Sequence, residues 1–255
     1  MLGENWYELA LRVEGQIVEH FVEYFFLHYF PTGASPPSLN LEHPTTFTQV
    51  SFQEKFPTLI HELNSPELPI VFLSQASSRL GALPFAPVKS ATALFRIEVI
   101  NRAQRTIFIQ SPNLTSRSLV KALKRALLRS VEVTLFLPRN MMVLESIVTG
   151  WTTTAWTVWR LKRWARKLRE IHLNVKSFKC DQGQPFVVEM NRSHIKFMVV
   201  DEESVILGSS NLDRASVMTS GEADIAFSDA GLAKALLTAV RDHQSTDREA
   251  GNISV

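Results

Sequence analysis

The chain has 255 residues, 45% of them hydrophobic and 20% charged, enough apolar mass for one or two domains with a full core. That excludes a fibre, a tail or a disordered linker. Lysine and arginine number 27 against 25 aspartates and glutamates, so the formal net charge of +2 gives no global pull toward nucleic acid, and any basic surface must be local.

The single cysteine, Cys180, cannot form an internal disulfide, and no cysteine–histidine cluster has zinc spacing. The opening residues lack the basic flank and apolar run of a secretory signal, so an intracellular place is expected, cytoplasmic or peripheral to a membrane. The longest uncharged apolar stretch, residues 146–159, has 14 residues, whereas a membrane-crossing helix needs about 20.

In chain order, a short strand is followed by an aromatic helix over 16–30, where Phe21, Tyr24, Phe25, Phe26, Tyr29 and Phe30 are too many for one solvated helix to hide. This face should seek a partner. Nine of the 12 prolines fall between Pro31 and Pro87, which reads as a connector over 31–87 with one short helix near 56–63. Then the pattern changes: a helix over 91–103, a strand over 106–110, a loop, a helix from about 116 with Leu119, Leu123 and Leu127 on one face, and a strand over 131–137. That succession is a βαβ unit. Strands follow at 173–178, 195–200, 205–207 and 223–227, with a closing helix over 231–242 and a tail over 246–255. The predicted fold is a mixed α/β sandwich.

The most informative stretch runs His194-Ile195-Lys196, then Asp201, then Gly208-Ser209-Ser210-Asn211, with Glu222 at a later strand start. Alternate residues of a strand share a face, so His194 and Lys196 project together and pair a nucleophile or proton carrier with a fixed cation. That combination suits a phosphate, and Ser209 and Asn211 add uncharged donors for the same oxyanion. Glu222 is placed to hold one nitrogen of an imidazole. Asp213, Arg214 and Ser216 read as a turn tied by its own side chains.

The pattern H-x-K-x-x-x-x-D, followed by G-S-x-N and a later glutamate, resembles the phospholipase D superfamily. The resemblance covers residues 88–245. It implies an α/β fold with a mixed sheet flanked by helices, and phosphodiester chemistry through a phosphohistidine without metal or cofactor. Carried over by position, His194 is a catalytic histidine, Lys196 and Asn211 bind phosphate, Ser209 supports them, Glu222 orients His194, and Asp201 orders the turn after its strand. The family mechanism needs two such motifs, and this sequence has one. Residues around Trp6 and Glu8 faintly repeat those around Glu222, so residues 1–30 resemble the last strand and helix of a first half, with 88–245 as the catalytic half. A homodimer or a complementary half is the expected remedy.

Asn113 and Thr115, in the loop after the strand over 106–110, are expected to line the pocket mouth; an ordinary Asn/Pro turn is the alternative. Residues 160–169 hold six basic residues in ten, beside Trp151, Trp156, Trp159 and Trp164. Trp156, Trp159, Arg160, Arg163, Trp164 and Lys167 suit contact with an anionic headgroup layer, against the alternative of a solvated cationic helix with tryptophan in the core. This favours a phospholipid substrate over nucleic acid. A nuclease-type phosphodiesterase and an inactive fragment that binds anionic lipid or phosphate are the rival readings.

Overall fold

The computed structural model describes residues 5–7, 15, 17–29, 68–75, 90–137, 152–168, 171–179, 191–242, 245–246 and 253–254. The chain divides into two units: Arg12–Leu68, and Met1–Leu11 with Pro69–Val255. In the former, helix α1 (Ile17–Tyr29) forms where the aromatic run predicts it, with Phe21 and Tyr24 half-buried. The side chains beyond Tyr24 in that helix, Glu8 and the helix expected near 56–63 lie outside the described residues.

The other unit contains, in chain order, β1 (Asn5–Tyr7), β2 (Ile70–Gln75), α2 (Ala91–Arg102), β3 (Thr106–Gln110), α3 (Arg117–Leu128), β4 (Glu132–Leu137), α4 (Thr154–Ala165), β5 (His172–Lys179), β6 (Asn191–Ser193), β7 (Phe197–Val200), β8 (Ser204–Gly208), α5 (Arg214–Met218), β9 (Glu222–Ser228), α6 (Ala230–Asp242), β10 (Ser245–Thr246) and β11 (Ile253–Ser254). Seven strands make a mixed sheet in the order β5-β4-β3-β7-β8-β9-β2. Strands β3, β4 and β5 run parallel, and the remaining pairings in that order are antiparallel. The short β10 and β11 pair with β5, while β1 pairs in parallel with β6.

Alternation along the strands gives the sheet two faces. Ile107, Ile109, Val133, Leu135, Leu173, Met198 and Ile206 join Ile100 of α2, Leu119, Leu123 and Leu127 of α3, and Leu161 and Ala165 of α4 in one buried core. The opposite face buries Phe108, Phe136, Phe197, Leu207, Ile225 and Phe227. Phe108 meets Phe197 edge-on at 6.1 Å, and Arg241 of α6 lies over the Phe108 ring at 5.3 Å. Serine or threonine caps start the helices on the first face: Ser90 accepts from the Ala93 N–H, Ser116 from Leu119 and Thr153 from Trp156.

Several elements depart from the sequence reading: the short β6 and β10 match no expected strand, β11 lies in the expected tail, and β2 lies in the expected connector. The proline-rich stretch contains β2, which pairs with β9 along its whole length. Its apolar run, Ile70 to Leu73, follows directly on Pro69, and proline is compatible with the start of an edge strand. Proline density hid a strand that proline tolerates.

Candidate active site

The His194–Lys196 segment enters the sheet beside the C-terminal end of β3. Ile195 is buried toward one face, so its two neighbours turn to the other. Lys196 Nζ lies 2.8 Å from His194 Nδ1 and 2.9 Å from Nε2, and it donates to the His194 carbonyl oxygen at 2.8 Å. Both side chains are half-buried. An ammonium is thus held against an imidazole just before β7.

Just beyond the β7–β8 ladder Lys196 meets Gly208, whose N–H donates to the Lys196 carbonyl at 3.4 Å. A Cβ at Gly208 would collide with the Ala223 carbonyl oxygen and the Asp224 carboxylate, and would stand 2.6 Å from Asp224 Cα. Only glycine lets β8 approach β9 this closely. That approach sets the course of the next three residues. The Ser209 N–H donates to the Ala223 carbonyl at 2.9 Å, and Ser209 Oγ accepts from the Ala223 N–H at 2.9 Å while donating to Glu222 Oε2 at 2.5 Å.

Glu222 is 7% exposed. Burial pushes its carboxyl above the usual carboxylate range; hydrogen bonds from Ser209 and Ser216 oppose the rise, and the charges of Asp224 and Asp213 add to it. The hydrogen bonds of Glu222 therefore tie the Ser209 loop to α5.

Asn211 is half-buried. Its N–H donates to Ser216 Oγ at 3.1 Å and its Nδ2 to Asp213 Oδ2 at 3.3 Å. Its Oδ1 is buried with no hydrogen-bond partner among the described residues. Asp213 caps α5 by accepting from the Ser216 N–H at 2.8 Å, the local turn that the spacing predicts.

A buried ion pair, not anticipated from the sequence, braces the loop from beneath. Arg96 of α2 donates through Nη1 to the Ser210 carbonyl at 2.7 Å, and its Nη2 stands 3.0 Å from Asp224 Oδ2. That last contact is close without the alignment of a hydrogen bond, since Asp224 Oδ2 has no such partner among the described residues. Asp224 Oδ1 accepts from the Ser210 N–H at 3.1 Å. Arg96 and Asp224 are 3% and 1% exposed, so the pair is held in low dielectric. Signals existed: Arg96 interrupts the buried stripe between Ala93 and Ile100, and Asp224 sits on the inward alternation of β9. A charge at such a position demands a buried partner.

The other expected residues fall in different places. Asp201 stands at the far end of β7, about 15 Å of strand from Lys196. Burial alone would raise its carboxyl, but N–H groups of Gln104, Thr106 and Arg105, with the Arg105 charge, hold it below the usual range. Those bonds tie the α2–β3 connection to the β7–β8 turn, where Asp201 and Glu202 adopt φ of 55° and 59°. Asn113 is fully buried and Thr115 is 3% exposed, so both lie beneath the surface and not at a mouth. Asn113 donates to Asp213 Oδ2 at 3.3 Å and accepts from Thr154 Oγ1 at 3.4 Å; Thr115 Oγ1 accepts from the Arg214 N–H at 3.3 Å. The loop after β3 thereby locks the Asn211 loop to the start of α4. On α4, Trp156, Trp159, Arg160 and Arg163 are exposed, as is Lys167 just beyond it, whereas Trp164 packs partly against the core. Trp151 lies outside the described residues.

With this geometry in hand, residues 97–242 match the family model described as the cardiolipin synthase, PLD-like domain. The chain belongs to the phospholipase D-like family. The matched segment holds His194, Lys196, Ser209, Asn211 and Glu222, together with α3 and α4. Over 192 residues the chain is 28% identical to cardiolipin synthase A of Pseudomonas aeruginosa, an alignment taking in 72% of this chain and 34% of that protein. The alignment thus spans about a third of the relative's length. Phosphatidylserine synthase of Haemophilus influenzae Rd KW20 superposes with a TM-score of 0.52 at 12% identity, over 71% of this chain and 40% of that one, which shows a shared fold. Nuc of Salmonella typhimurium, a phospholipase D family member, gives a TM-score of 0.45 at 20% identity over 72% of this chain and 100% of that one. Among the described residues, no helix is long and apolar enough to cross a membrane.

Proposed function

We propose that the chain supplies one half of a phospholipase D-like active site that acts on phospholipids as a phosphodiesterase or phosphatidyltransferase. The observation that carries this reading is the His194–Lys196 contact at 2.8 and 2.9 Å, set opposite Gly208 and beside the loop that bears Asn211. In this reading a cation, an amide and a proton carrier serve one phosphoryl group in transfer.

In the reaction so read, a second histidine from another chain or a further segment attacks phosphorus. A P–N bond forms, the P–O bond to the leaving alcohol breaks, and His194 as general acid gives its proton to the departing oxygen. Water or an acceptor alcohol then attacks phosphorus, passes its proton to His194, and the P–N bond breaks. Lys196 and Asn211 hold the phosphoryl oxygens, Ser209 supports them, and Glu222 orients His194 in the assembled site.

The test is to incubate the purified chain, alone and together with a protein that carries the complementary motif, with phosphatidylcholine and a primary alcohol. Formation of the transphosphatidylated lipid, abolished by His194→Ala, is the expected result. Cleavage of single-stranded DNA in its place would substitute a nuclease reading, and a monomer that turns over neither would leave an anion-binding fragment.

A further inference from the structure

We propose that the outward faces of α3 and α4 form a docking surface for an anionic lipid bilayer, placed so that the membrane meets the protein beside the Asn211 loop. The two helices share a core through Leu119, Leu123, Leu161 and Ala165, so their polar sides both turn away from the sheet. On α3 the basic residues are Arg117, Lys121, Lys124 and Arg125; on α4 they are Arg160, Lys162 and Arg163, followed by Arg166 and Lys167. Neither helix contains an acidic residue. Nine cations with no anion among them contrast with a net charge of +2 for the whole chain.

The two faces adjoin. Lys124 Nζ lies 4.8 Å from the centre of the Trp164 ring. Burial, and then the charge of Arg160, lower the affinity of Lys124 for its proton, so like charges across the seam repel until an anionic surface meets them. At the N-terminal end of α4, Trp156 and Trp159 are 53% and 46% exposed and stack on each other at 4.7 Å, with Arg163 over Trp159 at 5.4 Å. Indoles beside arginines suit the headgroup boundary, where the ring sits among acyl carbons and the guanidinium meets phosphate. Leu128 adds apolar surface on α3, with 62% exposure.

The position of this surface gives it a use. Thr154, two residues before Trp156, accepts the Leu114 N–H at 3.0 Å and donates to Asn113, which bonds the same Asp213 carboxylate as Asn211. A bilayer seated on the tryptophans therefore lies at the site's own end of the sheet. The surface deepens the phospholipid reading, yet its binding can be measured without turnover.

Vesicles of phosphatidylcholine alone and of an equimolar phosphatidylcholine–phosphatidylglycerol mixture separate the outcomes in a sedimentation assay at low salt. The full chain should bind the anionic vesicles and leave the neutral ones. R163Q/K167Q should weaken binding by about 25-fold, from roughly fivefold per cation, and W156A/W159A by about tenfold. Both changed pairs of side chains are exposed, and circular dichroism checks that the variants fold. His194→Ala should bind like the wild type, so vesicle binding that persists while the assembled site, with both halves present, fails to turn over lipid would sink the catalytic reading alone. Equal binding to neutral vesicles, or undiminished binding by R163Q/K167Q, overturns the proposal. So does a single-stranded oligonucleotide that displaces the vesicles, which would give the face to nucleic acid.

Discussion

Replacing Arg96 with methionine tests whether the loop that carries Ser209 and Asn211 owes its position to the buried ion pair. Methionine keeps most of the volume and helix propensity but removes the bond to the Ser210 carbonyl at 2.7 Å and the charge 3.0 Å from Asp224. Asp224, 1% exposed, is left as an uncompensated anion. Breaking a buried pair from one side costs about 3–5 kcal/mol, against about 1 kcal/mol for a neutral hydrogen bond alone. Urea unfolding at pH 7 should therefore show R96M less stable by about 3–5 kcal/mol. In a D224L background the same change should cost less, because the stranded charge is gone. A loop shifted by about 1 Å also loses roughly a hundredfold in rate, so transfer activity should fall in step. An R96M protein of wild-type stability, or the same loss with and without Asp224, would refute the brace.

Two further substitutions read other parts of the account. Gly208→Ala forces a Cβ against backbone atoms of Ala223 and Asp224, which cannot swing aside, so thermal melting should show a loss of at least about 1–3 kcal/mol and the transfer reaction should weaken sharply. Asp201→Asn removes a carboxylate whose proton affinity is depressed in the fold; its stabilisation is present above the ordinary value of 3.8 and fades as pH falls through the lower folded value. D201N should thus be less stable than the wild type by about 1 kcal/mol near neutral pH, with the two unfolding curves converging below about pH 4 and phosphate chemistry untouched.

The parts of the molecule legible in the sequence are those governed by short-range pattern. Strand β3 falls on the expected residues, and α3 shows Leu119, Leu123 and Leu127 all buried, because alternation and the 3.6-residue period act over a few positions. The pairing of His194 with Lys196 was equally local, a matter of two residues on one face. The regular strand begins only at Phe197, so the pair sits in an extended lead-in and not in the ladder. What escaped was long-range. Arg96 and the Ser210 carbonyl are 114 residues apart, and no period links them. Asn113 reads as a pocket-mouth residue because its loop follows directly on the strand over 106–110; its burial comes from Asp213 and Thr154, which only the tertiary fold brings to it. Strand β2 was masked by composition, since it lies in proline-rich sequence yet borrows its order from β9.

The central claim is that His194 and Lys196 act together on a phosphate, and it can be tested on the chain without a second half. Inorganic phosphate titrated into the protein should move the His194 ring resonances in an NMR spectrum, and Lys196→Ala should largely remove that response while leaving the other histidines unchanged. A His194 signal indifferent to phosphate, or one that responds equally with Lys196 deleted, would contradict the claim.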